Sequence, residues 1–236
     1  MIGRMLNLQQ ASKHVHLPST ELRHFAQRGE IAAVEHGDDW LFDQRTLDEW
    51  AQRNLLSESE RSLAERHRQM MDEERRSSSG WSVSSLVRPE TVSLGITAKA
   101  KAGIIRDMTD LASSSGLVYD DEWLFKAIME REDAASTAIG EEVALLHPRF
   151  HDPYVFAESF VAYARSVRPV FFGAPDGEAT SHFFLICATD HNEHLHILAR
   201  LAMLVHGTDL IERLSAAEDP QAVIAAIGEC EKEYHR

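Results

Sequence analysis

Two apolar runs constrain this chain more than any other feature: FVAYARS at residues 160–166 and HFFLICAT at residues 182–189. Neither alternates polar with apolar positions. A strand made from either is therefore apolar on both faces and has to be covered on both. Between them, Gly173-Ala-Pro-Asp-Gly177 carries the residue types of a turn. TVSLGI at residues 91–96 is a third candidate strand. The covering layers are legible as helical stripes. Ile104, Ile105, Met108, Leu111 and Ala112 recur at helical spacing until Gly116 stops them. Asp120 caps a helix with Trp123, Leu124, Ala127 and Ile128 inward. Asp190, with Glu193 at the capping-box position, opens another, whose stripe is Leu195, Leu198, Ala202 and Val205 and whose end is Gly207. Thr208 and Asp219-Pro220 open two last helices. Strands alternating with helices predict an α/β sandwich, a mixed sheet flanked by helices, over residues 83–236.

Ahead of this region lie a connector and a small module. Residues 54–82 read as a polar linker. Ser57 with Glu60 fits a capping box, and the only stripe is Leu63, Met70 and Met71. This predicts a solvated helical spacer, broken at Ser77–Gly80. Residues 1–53 read as helix, turn, helix, hairpin, helix. Asn7 caps the first helix, which carries Leu8 and Ala11 inward. Pro18 and Ser19 open the second, with Leu22, Phe25 and Ala26 on one face and Gly29 at its end. Two short strands run from Ile31 to Phe42 around His36–Asp39. Asp43 caps a third helix that buries Leu47 and Trp50.

Composition excludes several classes. No apolar run approaches the roughly 20 residues of a membrane helix, and the start, MIGRMLNLQQ, holds no apolar stretch of signal-peptide length. Two cysteines, Cys187 and Cys230, cannot make a disulfide framework or a four-cysteine zinc site. The expectation is a reduced, cytoplasmic protein without membrane insertion. Its net charge is -14, and residues 81–236 supply 11 of those surplus negative charges. An acidic chain is a poor default partner for nucleic acid, whose affinity comes largely from neutralised phosphates.

The first module nevertheless has landmarks: Ala11-Ser12 in helix one, then Arg28-Gly29-Glu30-Ile31, then a hairpin ending in Trp40-x-Phe42. In these it resembles the excisionase-like winged helix-turn-helix family. The resemblance implies Ser19, Thr20, Arg23 and Arg28 as candidate DNA contacts. Departures from the family are Ser19, Thr20 and Glu21 where basic residues usually open the second helix, and Asp38 and Asp39 at the hairpin tip. An acidic tip repels a duplex, so an interaction module on the same scaffold is the competing reading.

Two stretches of the larger module concentrate the chemistry: MEREDAASTAIGEEVALLHPR at 129–149 and ATDHNEHLHILARLAML at 188–204. The order is Glu130-Arg131-Glu132, Ser136-Thr137, Ile139-Gly140, Val143-Ala144, His147 and later Asn192-Glu193-His194-Leu195. With FFGAPDGE, they resemble the mannitol/fructose-class IIA domain of the bacterial phosphoenolpyruvate-dependent phosphotransferase system, nearest its nitrogen-regulatory branch. The resemblance implies that His147 is the phosphorylated histidine and His194 the second active-site histidine. It makes Arg131 the arginine of the E-R-E motif, and Ser136 and Thr137 the phosphoryl-binding pair. It also implies a donor, the histidine phosphocarrier protein, and a downstream phosphoacceptor or regulatory protein. No cofactor and no metal are expected.

Those residue types suit a phosphocarrier. Imidazole is an unprotonated nucleophile near neutral pH. A guanidinium is a permanent, planar clamp for phosphoryl oxygens. His194 falls in the first turn of a capped helix, where the positive dipole end favours an anion. Transfer then needs positioning and charge stabilisation rather than a metal. Departures from the family pattern are Leu146 and Pro148 around His147, and Ala138 and Glu142 where glycines are common. Pro148 has no N–H to offer, Leu146 would block a shallow cradle if it faced inward, and Glu142 would repel an anion if it did. The alternative is a non-catalytic transcription or interaction factor with a degenerate IIA domain. His191, His194 and His196 meet zinc spacing only in part, since His196 leaves their helical face.

Overall fold

The computed structural model describes residues 4–37, 39–57, 82–149 and 154–234, with side chains left out for 55–57. Asp38, the Ser57–Glu60 capping pair, the stripe Leu63, Met70 and Met71, the break at Ser77–Gly80, and His151 lie outside the described residues. The chain divides into two compact units, Met1–Ser79 and Gly80–Arg236.

In the first unit, β1 (Met5–Asn7), α1 (Leu8–His14), α2 (Ser19–Gln27), β2 (Ala33–His36), β3 (Asp39–Asp43) and α3 (Gln44–Ser57) follow in order. Asn7 makes a reciprocal capping box with Gln10. Gly29 adopts φ 71° just after α2, a conformation that suits glycine. The Asp43 carboxylate accepts from the Thr46 amide at 3.1 Å and starts α3. The strands form an antiparallel sheet in the order β1-β3-β2. A small core of Leu8, Ala11, Leu22, Phe42 and Leu47 is almost solvent-free. β1 has no period-two signal in three residues, which is why the sequence did not predict it. α3 runs on to Ser57, past the boundary expected at residue 53.

The second unit contains α4 (Val83–Leu86), β4 (Val87–Ile96), α5 (Lys101–Ser114), α6 (Asp121–Ala134), β5 (Ala138–Gly140) and β6 (Val143–Leu146). Then come β7 (Phe160–Val170), β8 (Thr180–Cys187), α7 (His191–Gly207), α8 (Leu210–Ala216) and α9 (Pro220–Tyr234). The five strands form one sheet in the order β4-β7-β8-β6-β5. β4 pairs parallel to β7 and β6 parallel to β8, while β7–β8 and β5–β6 are antiparallel. This is the expected mixed sheet. The two apolar runs are its centre, and every residue of β8 is buried. One face (Phe160, Ala162, Phe183, Leu185, with Ala144 and Leu146 of β6) packs on Ile104, Ile105 and Met108 of α5 and Leu124 and Ile128 of α6. α7 packs on β6 and β8, and α9 on β4 and α7. Side chains of successive strand residues point to opposite faces, so a strand that is apolar throughout requires this double cover.

The hairpin β5–β6 carried no sequence expectation, because strands of three and four residues fall below what periodicity resolves. Its turn is tight. Gly140 sits at φ 92°, and a Cβ there would meet the Asp176 carboxylate at 2.9 Å. Glu141 and Glu142 both adopt left-handed φ, 50° and 60°. The Asp176 carboxylate holds the turn by accepting from the Glu141 amide at 3.1 Å.

Candidate functional site

Parallel pairing of β6 with β8 brings two carboxyl ends side by side, the place where open α/β sheets bind ligands. His147 follows directly on β6. Asp190 and the first turn of α7 follow on β8. The Asp190 carboxylate accepts from the Glu193 amide at 3.0 Å, and the His194 amide donates to the Asp190 carbonyl at 3.1 Å. The capping box is not reciprocal. Instead the Glu193 carboxylate accepts from the Ser159 hydroxyl, which in turn accepts from the Thr189 amide at 2.9 Å. The result fixes the turn from β8 into α7.

Arg131 arrives from α6. Leu124, Ala127, Ile128 and Arg131 share one helical stripe, so the guanidinium occupies the inner end of the face that α6 buries. The amide of Arg149 donates to the Ala127 carbonyl at 3.1 Å and draws the residues after β6 against this helix.

These three elements make His147, His194 and Arg131 converge. The two imidazole centroids are 4.9 Å apart, tilted by 57°. Arg131 Nε donates to His147 Nε2 at 3.0 Å, and its terminal nitrogen donates to the Ala135 carbonyl at 2.8 Å. His147 Nδ1 lies 2.8 Å from the Leu145 carbonyl. A carbonyl only accepts and a guanidine N–H only donates. The partners therefore assign the neutral ring with its proton on Nδ1 and its lone pair on Nε2. Arg131, His147 and His194 are all buried. The sequence suggests a shallow, open cradle; here all three side chains are buried, so Nε2 has to be exposed before a macromolecular donor can reach it.

Ser136 and Thr137 stand beside this cluster, with their hydroxyl protons directed elsewhere. Ser136 Oγ donates to the Phe172 carbonyl at 2.7 Å. Thr137 Oγ1 donates to the Glu132 carboxylate at 2.7 Å. A hydroxyl has one proton to give, so in this arrangement the pair secures the segment between α6 and β5.

The departures around His147 also fall into place. Leu146 does not cap the cradle: alternation sends it with Ala144 into the core on the α5–α6 face, opposite Leu185 in register. Glu142 precedes β6 while His147 follows it, a separation of about 16 Å along an extended strand. Its carboxylate accepts from the Ser181 hydroxyl at 2.7 Å instead of facing the site.

The candidate DNA contacts of the first unit lie on or just after α2. Thr20 and Arg23 are exposed and Ser19 is half-buried. Arg28 is engaged by Glu30 at 2.8 Å and lies over the Phe25 ring, 5.2 Å from its centroid.

Two residues to which the sequence assigned no role stand next to the cluster. Glu132, the second acid of the E-R-E motif, is buried and receives Lys101 Nζ at 2.7 Å as well as Thr137. The position of Lys101 at the start of α5 carries no sequence signal for this contact.

Comparison with known proteins bears on the family and the fold. The family model described as "Phosphoenolpyruvate-dependent sugar phosphotransferase system, EIIA 2" matches residues 85–230. That is well over half of the chain, and the chain belongs to this family. It is 30% identical over 152 residues to the fructose-specific EIIABC component of Bacillus subtilis, an alignment covering 64% of this chain and 24% of that protein. It is 28% identical over 148 residues to the nitrogen regulatory protein of Bradyrhizobium diazoefficiens, covering 61% of this chain and 94% of that protein. The chain thus spans about a quarter of the first relative's length and nearly all of the second. Among solved structures, the nitrogen regulatory protein of Neisseria meningitidis superposes with a TM-score of 0.52 at 22% identity, over 61% of this chain and 98% of that one. IIA mannitol of Escherichia coli gives 0.53 at 23%, over 60% and 98%. At such identities the superpositions establish the shared α/β fold. Among the described residues, no helix is long and apolar enough to cross a membrane.

Proposed function

We propose that this protein is a cytoplasmic regulatory phosphocarrier of the phosphotransferase system, accepting a phosphoryl group on His147 Nε2 from the histidine phosphocarrier protein. One observation carries the reading. The Nε2 lone pair of His147 is held toward the guanidinium of Arg131, its proton is fixed on Nδ1 by the Leu145 carbonyl, and His194 is 4.9 Å away. In the transfer, Nε2 attacks phosphorus in line. The new N–P bond forms as the donor's N–P bond breaks, and that electron pair returns to the donor imidazole. Nδ1–H stays on Leu145 throughout, so no base is needed. The incoming phosphoryl group takes Arg131 Nε from Nε2, leaving the guanidinium on its oxygens. His194, at a helix N-terminus, supplies a further donor. The phosphoryl group then passes to a downstream acceptor, or its presence is the signal.

The test is incubation of the full chain with phosphoenolpyruvate, the general phosphotransferase enzyme and the histidine phosphocarrier protein. An acid-labile, base-stable phosphate is expected, lost in His147→Ala and slowed in His194→Ala. Labelling of the wild type no greater than that of His147→Ala overturns the carrier role.

We infer that the first unit is an excisionase-like winged helix-turn-helix and acts as the output module. Arg28 is already paired with Glu30, and residues 1–53 carry eight acidic against six basic side chains. Both features favour a protein partner over duplex DNA. Salt-dependent duplex binding by the full chain, abolished in Arg23→Glu, would reverse that preference.

A further inference from the structure

We propose that Lys101 and Glu132 are positioning residues that set the tautomer and reactivity of His147; this rests on the phosphocarrier reading above. The starting point is an anomaly. Lys101 is the first residue of α5, whose N-cap, Ala100, makes no side-chain cap. A cation there opposes the helix dipole, so helix preference does not account for it. Its partner does. The Glu132 side chain is fully buried, and Lys101 Nζ meets its Oε1 at 2.7 Å from a side chain that is still 35% exposed. The same ammonium lies 4.8 Å from the centroid of Phe172.

From this pair, two paths lead to the two nitrogens of His147. Glu132 Oε2 accepts from the Thr137 amide at 2.9 Å and from its hydroxyl at 2.7 Å. The Thr137 carbonyl accepts from the Leu145 amide at 3.0 Å, and the Leu145 carbonyl receives Nδ1–H of His147. The second path is electrostatic. Glu132 is next in sequence to Arg131. Lys101 balances the charge of the Glu132 carboxylate, while the Arg131 guanidinium donates to His147 Nε2 and the Ala135 carbonyl. Without Lys101, an uncompensated buried carboxylate draws on the adjacent cation. Arg131 then withdraws from Nε2, and the preference for the Nδ1–H tautomer weakens.

The experiment uses the full chain and reads two quantities: the His147 tautomer, from imidazole ¹⁵N shifts, and the rate of phosphoryl acceptance from the phosphorylated histidine phosphocarrier protein. Lys101→Met should mix the tautomers and slow acceptance by about 10- to 100-fold, as small misplacements of reacting groups do. Lys101→Arg should restore both. The double variant Lys101→Met/Glu132→Gln should recover part of the loss, because no buried charge then competes for Arg131. Circular dichroism checks that each variant is folded, and the double variant keeps the comparison open if the single one is not. Wild-type tautomer and rate in Lys101→Met, within about threefold, would overturn the proposal, as would a double variant no better than the single. If the wild type takes no phosphate at all, the phosphocarrier reading fails separately, and the tautomer measurement still decides the positioning role.

Discussion

Replacing Arg131 by lysine keeps a positive charge in the site and removes only the planar fork. In the native protein that fork makes two bonds from fixed geometry, Nε to His147 Nε2 at 3.0 Å and the terminal nitrogen to the Ala135 carbonyl at 2.8 Å. A single ammonium on a shorter head cannot reach both points. Two losses follow. In the ground state a buried charge-assisted hydrogen bond disappears, which costs about 1.5–3 kcal/mol of stability. In the transfer state one preorganised donor to the phosphoryl oxygens is missing, which costs roughly 3–4 kcal/mol, or about 100- to 1,000-fold in rate. Rapid-quench measurement of phosphate acquisition from the phosphorylated histidine phosphocarrier protein gives the rate, and urea unfolding gives the stability. A rate within about threefold of wild type, in a variant whose stability has fallen as predicted, would refute the assignment of Arg131 to the transferring group. It would leave the arginine as a structural tie between α6 and the segment after it.

Other expectations concern the scaffold. His182 is buried, with Nδ1 2.7 Å from the Tyr163 hydroxyl and Nε2 3.1 Å from Ser215 Oγ. Burial lowers its pKa from 6.5 to about 4, and burial raises that of Tyr163. Between those two values the unfolded chain binds a proton that the folded one does not, so stability is full above pH 6.5 and falls as the pH drops toward 4, by about 3 kcal/mol in all. Urea titrations of wild type and His182→Gln at pH 7 and 4.5 should differ in slope with pH; parallel curves contradict this. Glu141→Asn should raise the free energy of unfolding by up to about 1 kcal/mol, since asparagine tolerates the left-handed region better, and a lowered stability counts against strain at φ 50°. Asp190→Ala removes the cap of α7 and should cost about 1 kcal/mol, measured by chemical denaturation. Stability unchanged in that variant means the Ser159–Glu193 contact alone holds the turn.

Much of the second unit was legible because its signals are local. Asp120 and Asp190 cap helices at the predicted places, and Gly116 terminates α5 with φ 75°. The apolar runs became the sheet's two central strands. In the fold that stripe of Leu124, Ala127 and Ile128 runs on by one turn to Arg131, whose candidacy came from the E-R-E motif of the resemblance and not from periodicity. Less was legible where a side chain's partner is remote or its strand is short. The β5–β6 hairpin offered no usable period, so Leu146 and Glu142 looked like threats to the site when they are respectively core and distal turn.

The order of residues by itself determined that this chain makes a doubly covered mixed sheet, and which imidazoles and guanidinium were available for chemistry. The first outcome follows from caps, stripes and apolar runs, which act over a few residues; the second came from the resemblance of the motifs to the IIA family. Only the folded arrangement decided that parallel β6 and β8 end side by side and bring His147 within reach of His194. It also decided that the Ser136 and Thr137 protons go to Phe172 and Glu132, and that Lys101 neutralises a carboxylate thirty-one positions away. Hydrogen-bond and charge partners at such separations are chosen by strand pairing and side-chain direction in three dimensions, and no local pattern encodes them.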